Sequence, residues 1–167
     1  MSAKSAINIE WEGPFAVREA LGFKDETRDY EVYQVYGPHP VYGLNVLLYI
    51  GKAADQTFGD RLGQESETVF FHTQQCQVRV GRFCGPSTPG DGAWACEMDL
   101  AEQLLIYAHS PAYNCQHIQS TPYQEHRDVH VFNWGEYGSL MPEVSGSRWQ
   151  EAPPKIVAYT WRNQECR

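Results

Sequence analysis

The sequence predicts an α+β protein made of a single domain that spans residues 1–167. Two neighbouring apolar segments, separated by Gly and Pro, indicate an antiparallel hairpin, and a third β-rich segment follows them. A long segment with helical periodicity comes next, at residues 94–109. Strands that precede a long helix, without regular β–α alternation, are typical of the α+β class.

The first part of the chain predicts a short helix and then the hairpin. Pro14 opens PFAVREALGF, whose apolar residues recur at helical spacing, and Gly22 would end a short helix there. Residues 30–36, YEVYQVY, and the segment VLLYIG at 46–51 are rich in β-branched and aromatic residues and predict two strands. The Gly- and Pro-rich segment 37–45 predicts an enlarged loop between them.

The second part predicts further strands and the main helix. A loop with a helical turn is predicted at residues 52–66, and another strand at 68–83. The helix at 94–109 has a clear apolar stripe and ends before Pro111, which cannot continue a helix. VHVFNW and KIVAYTW, near the C-terminus, predict two more strands.

The composition argues against several classes of protein. No segment approaches the roughly 20 apolar residues of a membrane span, and the N-terminus lacks the apolar core of a signal peptide. We therefore expect a cytosolic protein that does not bind a membrane. Five cysteines, odd in number and without a C-x-x-C pair, argue against a disulfide framework and a zinc knuckle. His126 and His130 fall on a predicted strand, about 13 Å apart, which is too far to hold one ion.

The net charge of −8 opposes nucleic-acid binding, because phosphate recognition draws on Lys and Arg. The distribution of charge softens this objection. Lys52, Arg61, Arg79 and Arg82 lie close together in sequence, and residues 68–90 contain no acidic residue. Acidic residues also flank Arg61, however, so the sequence does not define a basic stripe.

Six polar side chains follow one another in a distinctive order along the predicted elements. In chain order they are Tyr33, Tyr49, Lys52, Arg61, Glu102 and Asn114. The motifs YIGKA, on the second strand, and EQLLIYAHSPAYN, on the helix, contain most of them. In this order the chain resembles the GIY-YIG nuclease family over about residues 30–116. The resemblance implies a small central antiparallel sheet flanked by helices, with extensions at 1–29 and 117–167.

The chain departs from the family pattern in three ways. The GIY triplet is Glu31-Val32-Tyr33, so its glycine is missing. The Gly- and Pro-rich loop lengthens the gap between the two tyrosines. Glu65 stands where many members carry His or Tyr, one helical turn after the arginine, and His72 could support the site from farther along the chain.

Residue pattern alone leaves the helix carboxylate undecided. Glu102 falls at the margin of the apolar stripe, where a carboxylate needs a partner, whereas Glu97 lies nearer the middle of the stripe. The resemblance nominates Glu102 as the ligand of one Mg (or Mn) ion. Both are hard cations that prefer oxygen ligands.

The resemblance also implies roles for the other residues. Arg61 would hold a phosphate group by two hydrogen bonds, and Lys52 would add a charge that lowers the pKa of a neighbouring phenol. Tyr33 or Tyr49 would take a proton from water; we favour Tyr33, because the cations after Tyr49 would engage its hydroxyl. Asn114 would orient the region of the helix carboxylate.

These implications lead us to expect a divalent-metal-dependent DNA endonuclease, of the restriction or the mobile-element type, which hydrolyses phosphodiester bonds with the help of a tyrosine. Cleavage of two strands with one small site per chain suggests a homodimer on DNA. The alternative is a catalytically degenerate module that keeps the fold and binds nucleic acid or protein, as the acidic charge and the missing glycine would suggest. A zinc-binding structural protein is a third alternative.

Overall fold

The computed structural model describes residues 5–65, 75–85, 92–119 and 124–149. In chain order, the strands and helices are β1 (Ser5–Ala16), α1 (Val17–Ala20), β2 (Glu31–His39), β3 (Gly43–Ala53), α2 (Phe58–Glu65), β4 (Gln77–Phe83), α3 (Gly92–His109), β5 (Val129–Gly135) and β6 (Glu143–Ser145). Short 3-10 turns precede β5 and follow β6. Within these described ranges, no helix is long and apolar enough to cross a membrane.

The strands form one curled, six-stranded sheet in the order β3-β2-β4-β1-β5-β6. β1 and β5 pair in parallel, and the other neighbouring strands pair antiparallel. The predicted α+β class is confirmed, but the sheet is mixed and larger than the small antiparallel sheet that the resemblance implies. The reason is that segments 1–29 and 117–167 contribute strands of their own, and β1 lies inside the sheet between β4 and β5.

Apolar side chains cover both faces of the sheet. On one face, Leu104 of α3 shares a buried cluster with Ile50 of β3, and we call this the α3 face. On the other, Phe58 of α2 shares a buried cluster with Tyr33 of β2, and we call this the α2 face. A strand between two apolar layers is buried on both sides, which explains why residues 31–37 are all buried.

The predicted hairpin is confirmed, but its turn is shorter than expected. Pairing of β2 with β3 continues as far as His39 and Gly43, so only residues 40–42 form the turn. The predicted long helix is confirmed as α3. The helix predicted near the N-terminus is reduced to the four residues of α1, because the residues before it pair with β4 as part of β1. The predicted strand KIVAYTW lies outside the described residues.

The segment that follows α3 covers the edge of the sheet. β3 is an edge strand, and an edge presents backbone groups that need partners. Ala112 N donates to the Leu47 carbonyl at 3.2 Å, and Tyr113 N donates to the Leu48 carbonyl at 2.8 Å. These hydrogen bonds fix the segment that follows α3 against the edge of the sheet.

Arg79 and Arg82 serve the fold itself. Arg82 lies 2.9 Å from the Asp29 carboxylate and 3.0 Å from the Glu12 carboxylate, while Arg79 donates to the Glu136 carbonyl at 2.7 Å. Both side chains are mostly buried, with 16% and 17% of their surface exposed. Of the four cationic side chains that lie close together in sequence, these two therefore form structural contacts between segments of the fold.

Candidate active site

A cleft of about 610 Å³ lies at the edge of the sheet beside β3. Five of the residues singled out by motif order line it: Tyr49, Lys52, Arg61, Glu102 and Asn114. Tyr33 is fully buried next to Tyr49, with the two ring centroids 6.1 Å apart. His72 lies outside the described residues. The structure thus gathers side chains that are far apart in sequence, and their chemical roles stay predictions.

β3 brings these side chains together from opposite faces of the sheet. Tyr49 packs on the α2 face, which also carries Arg61 of α2. Lys52 points to the α3 face, where its ammonium contacts Glu102. Because β3 is an edge strand, groups from both faces can reach round it into one cleft. A central strand would have kept the two sets apart.

Asn114 closes the edge of β3 at Ile50. Its Oδ1 accepts a hydrogen bond from Ile50 N at 3.0 Å, and its Nδ2 donates to the Ile50 carbonyl at 2.9 Å. The side chain is buried and bonds the β3 backbone as a neighbouring strand would. Asn114 thus fixes the strand that carries Tyr49 and Lys52, and its expected role in orienting the helix carboxylate stays a prediction.

Lys52 joins β3 to two carboxylates of α3. Its Nζ lies 2.7 Å from both Asp99 Oδ1 and Glu102 Oε2. Partial burial acts to lower the pKa of Lys52, but the hydrogen bonds to Asp99 and Glu102 outweigh it, and the pKa is raised. Two carboxylate oxygens thus converge on one positive charge, which is the donor set that a hard divalent cation prefers. These residues fit the Mg or Mn ion implied by the resemblance, with Glu102 as ligand and Asp99 beside it.

Arg61 is also paired with a carboxylate. Its Nη2 lies 2.7 Å from Glu65 Oε1, one helical turn later in α2. Among the described residues, neither Arg61 Nε nor the Tyr33 hydroxyl makes a hydrogen bond of good geometry. Arg61 nevertheless lies close enough to Tyr33 and Tyr49 for its positive charge to act to lower the pKa of both phenols. A phosphate group would have to compete with Glu65 for the guanidinium.

Burial distinguishes the two phenols. It is the main reason that the pKa of Tyr33 is raised, and Tyr33 has no exposed surface. Burial also raises the pKa of Tyr49, and Glu65 and Glu102 raise it further, while Arg61 opposes the shift in both phenols. Lys52 does not contribute to the pKa of either phenol; its ammonium contacts Asp99 and Glu102 on the α3 face. Tyr49 lines the cleft and Tyr33 does not, so Tyr49 is the phenol placed to contact water, and which of the two takes a proton stays a prediction.

Gly51 allows both phenol rings to pack closely against the backbone of β3. It pairs with Tyr33 across the hairpin. A Cβ atom at position 51 would lie 2.6 Å from the Tyr33 hydroxyl and 2.6 Å from Tyr49 Cε1, well inside van der Waals contact. The glycine of the YIG motif is therefore required by the close approach of both rings.

Glu31 occupies the position of the missing glycine, with a backbone that glycine favours. Its φ of 95° lies in a region that side chains with a Cβ adopt at a cost. The buried carboxylate accepts hydrogen bonds from Trp94 Nε1, at 2.8 Å, and from Phe83 N. Burial raises the pKa of Glu31, while these two bonds and Arg82 oppose the shift. The bonds offset the backbone strain and explain how a glutamate is accommodated here.

Sequence analysis missed the roles of two carboxylates in the site. Asp99 shares the ammonium of Lys52 with Glu102, and Glu65 is the partner of Arg61. Spacing carried the signal in both cases. Asp99 lies three residues before Glu102, and Glu65 lies four residues after Arg61, and both spacings place side chains side by side on a helix.

Searches of family models, of curated proteins and of solved structures give no match to this chain. The resemblance to the GIY-YIG nucleases therefore rests on motif order alone. In the described part of the chain, no group of three or more His, Cys, Asp or Glu side chains is arranged to hold a metal ion.

The strain at position 31 is testable with a matched pair of variants. Glu31→Gly and Glu31→Ala both remove the carboxylate and its hydrogen bonds, but only glycine relieves the positive φ. We expect the glycine variant to be the more stable of the two by about 1 kcal/mol, and both to be less stable than wild type. Urea unfolding at neutral pH measures this difference. An alanine variant as stable as the glycine variant would show that position 31 is unstrained.

Proposed function

We propose that this protein is a divalent-metal-dependent endonuclease that hydrolyses DNA phosphodiester bonds with the help of a tyrosine. One observation carries the proposal: Arg61 of α2 and Glu102 of α3, from helices on opposite faces of the sheet, line the same cleft. Tyr49 and Lys52 line it as well. An Arg that can hold a phosphate, a carboxylate that can hold a cation and a phenol that can contact water are the groups that phosphodiester hydrolysis needs.

The charges around the cleft explain why the reaction would depend on a metal ion. Asp55 and Glu102 line the cleft, and Asp99 and Glu65 contact its two cations. These carboxylates repel a phosphodiester unless their charge is offset. Glu102 would hold a divalent cation, which would supply charge relief to the phosphate and to the leaving oxygen.

The residues of the chain would then act as follows. Arg61 exchanges Glu65 for two phosphate oxygens, which its planar fork can bind together. Lys52, once Glu102 is engaged elsewhere, keeps Asp99 as a partner and adds positive charge beside the phosphate. Tyr49 would first lose its phenolic proton to solvent, helped by the positive charge of Arg61, and the resulting tyrosinate would then accept the proton of the attacking water.

The second candidate is a catalytically degenerate module that binds nucleic acid or protein. The observation that favours it is that Lys52 and Arg61 both already have carboxylate partners, at 2.7 Å. In that case the ion pairs would be structural and no cation would be recruited. The homodimer that double-strand cleavage suggests belongs only to the first candidate.

A plasmid-nicking assay with a matched pair of α3 variants tests the proposal. We expect wild-type protein to nick plasmid DNA in Mg²⁺ or Mn²⁺ and to lose this activity in excess chelator. Glu102→Gln keeps the shape of the side chain but removes the charge that holds the ion, so it should abolish nicking. Glu97→Gln, on the same helix but not lining the cleft, should nick like wild type.

The outcomes separate the two candidates. Nicking that survives Glu102→Gln would refute the assignment of the metal ligand. A wild-type protein that binds DNA but nicks none of it, with either metal, would support the degenerate module instead.

The two tyrosines should differ in their effects on rate. Replacing Tyr49 by Phe removes the phenol that lines the cleft, and we expect a loss of about 100- to 10,000-fold, as is typical of general-base catalysis. Replacing Tyr33 by Phe removes a buried hydroxyl that makes no hydrogen bond of good geometry and does not line the cleft, so a loss of no more than about tenfold is expected. Single-turnover rates across pH measure both. The reverse order of losses would restore Tyr33 as the base.

A further inference from the structure

Three rings form a continuous series between the tip of the β2–β3 hairpin and the cleft. The Tyr42 ring stacks on the His39 ring, with centroids 4.5 Å apart and planes within 17° of each other. The His39 ring in turn contacts the Tyr113 ring, at 5.4 Å and 45°. Tyr113 lines the candidate cleft. We call Tyr42, His39 and Tyr113 the aromatic array.

The array is fixed in place before any ligand binds. His39 Nδ1 accepts hydrogen bonds from Val41 N and Tyr42 N, both at 3.2 Å, so the imidazole is locked to the turn. The Tyr113 backbone is bonded to β3 at Leu48. A preorganised surface loses little conformational freedom on binding, which favours affinity.

One face of the outermost ring is open. Tyr42 is 69% exposed, although one side of its ring is covered by His39. An exposed aromatic face at the tip of a hairpin has no evident role in the core. It does provide a flat surface on which another planar group can stack.

The charge distribution around the array matches an anionic partner. The chain carries 21 acidic residues. None of them lies in residues 32–54 or 103–119, the two segments that build this edge of the sheet. A second hollow of about 410 Å³, lined by Tyr42, Leu47, His109 and Ile118 among others, contains no carboxylate either. The part of the β3 edge that carries the array therefore contributes no carboxylate that would repel a polyanion.

We propose that the aromatic array binds unpaired nucleobases of a nucleic-acid strand that runs along the edge of β3 towards the cleft. Stacking on aromatic rings is the usual way in which proteins hold single strands without reading their sequence. Bases within a duplex present only their edges, so an open ring face selects unpaired or splayed bases. The inference deepens the proposed function and rests on it for the path of the strand.

Binding of a fluorescein-labelled oligothymidine, followed by anisotropy in excess chelator, tests the array without cleavage. We expect wild-type protein to bind this single strand more tightly than a blunt duplex of the same length. Tyr42→Ala should weaken binding of the single strand by about 5- to 150-fold, the usual effect of removing one stacked base. Tyr42→Phe keeps the ring and should bind like wild type.

Leu44→Ala is the matched control. Leu44 lies on the same hairpin and is 83% exposed, but it is not one of the stacked rings, so its loss should leave binding unchanged. Equal losses in Leu44→Ala and Tyr42→Ala would overturn the proposal in favour of a general apolar contact, such as a protein partner would make. Wild-type protein that does not bind the oligothymidine, or a Tyr42→Ala variant that binds it like wild type, would also overturn it.

The same proteins separate this inference from the proposed nuclease activity. Plasmid nicking in Mg²⁺ reports on the cleft, whereas binding in chelator reports on the array. Binding that depends on the Tyr42 ring, without nicking, would refute the proposed nuclease activity and still support nucleobase binding by the aromatic array. Nicking by wild type together with ring-independent binding would refute the array alone.

Discussion

The hydrogen bonds between the Asn114 amide and the Ile50 backbone are the contact on which the candidate site depends. β3 ends the sheet, so the outward N–H and C=O of Ile50 need a donor and an acceptor at once. A carboxamide offers both, and at this position Asp could supply only the acceptor. Because Asn114 follows α3 closely, the same contact holds the helix that carries Glu102 against the strand that carries Tyr49. Loss of this contact would free the edge and separate the two halves of the cleft.

Lys52 and Arg61 in the cleft are each paired with carboxylates, and these ion pairs affect how an anion could bind there. The ammonium of Lys52 is shared by Glu102 and Asp99, and the guanidinium of Arg61 is held by Glu65. Such pairs orient the side chains and position each cation before an anion arrives. They also oppose binding of that anion, so a second source of positive charge is needed. Under the proposed function, a divalent cation at the α3 carboxylates would meet this need, and its binding would be linked to the release of Lys52.

Much of the local structure could be predicted from sequence, because the hairpin and α3 follow from short-range periodicity. The sheet order could not, since β1 pairs with β4 and β5 across large separations that leave no local pattern. Motif order singled out the residues that line the cleft, but it could not say that Tyr33 is buried while Tyr49 is accessible. That difference depends on packing of α2 against the sheet. The positive φ at Glu31 could not be predicted from sequence either, because it is a property of the backbone rather than of the residue found there.

Under the proposed function, the α3 carboxylates form a cation site for which Lys52 competes. Titration with Mn²⁺, followed by the loss of the free-ion electron paramagnetic resonance signal, tests this claim directly and requires no substrate. We expect wild-type protein to bind Mn²⁺, Glu102→Gln to abolish this binding, and Lys52→Met to strengthen it by removing the competing charge. Binding that is unchanged in Glu102→Gln, or weakened in Lys52→Met, would contradict this cation site.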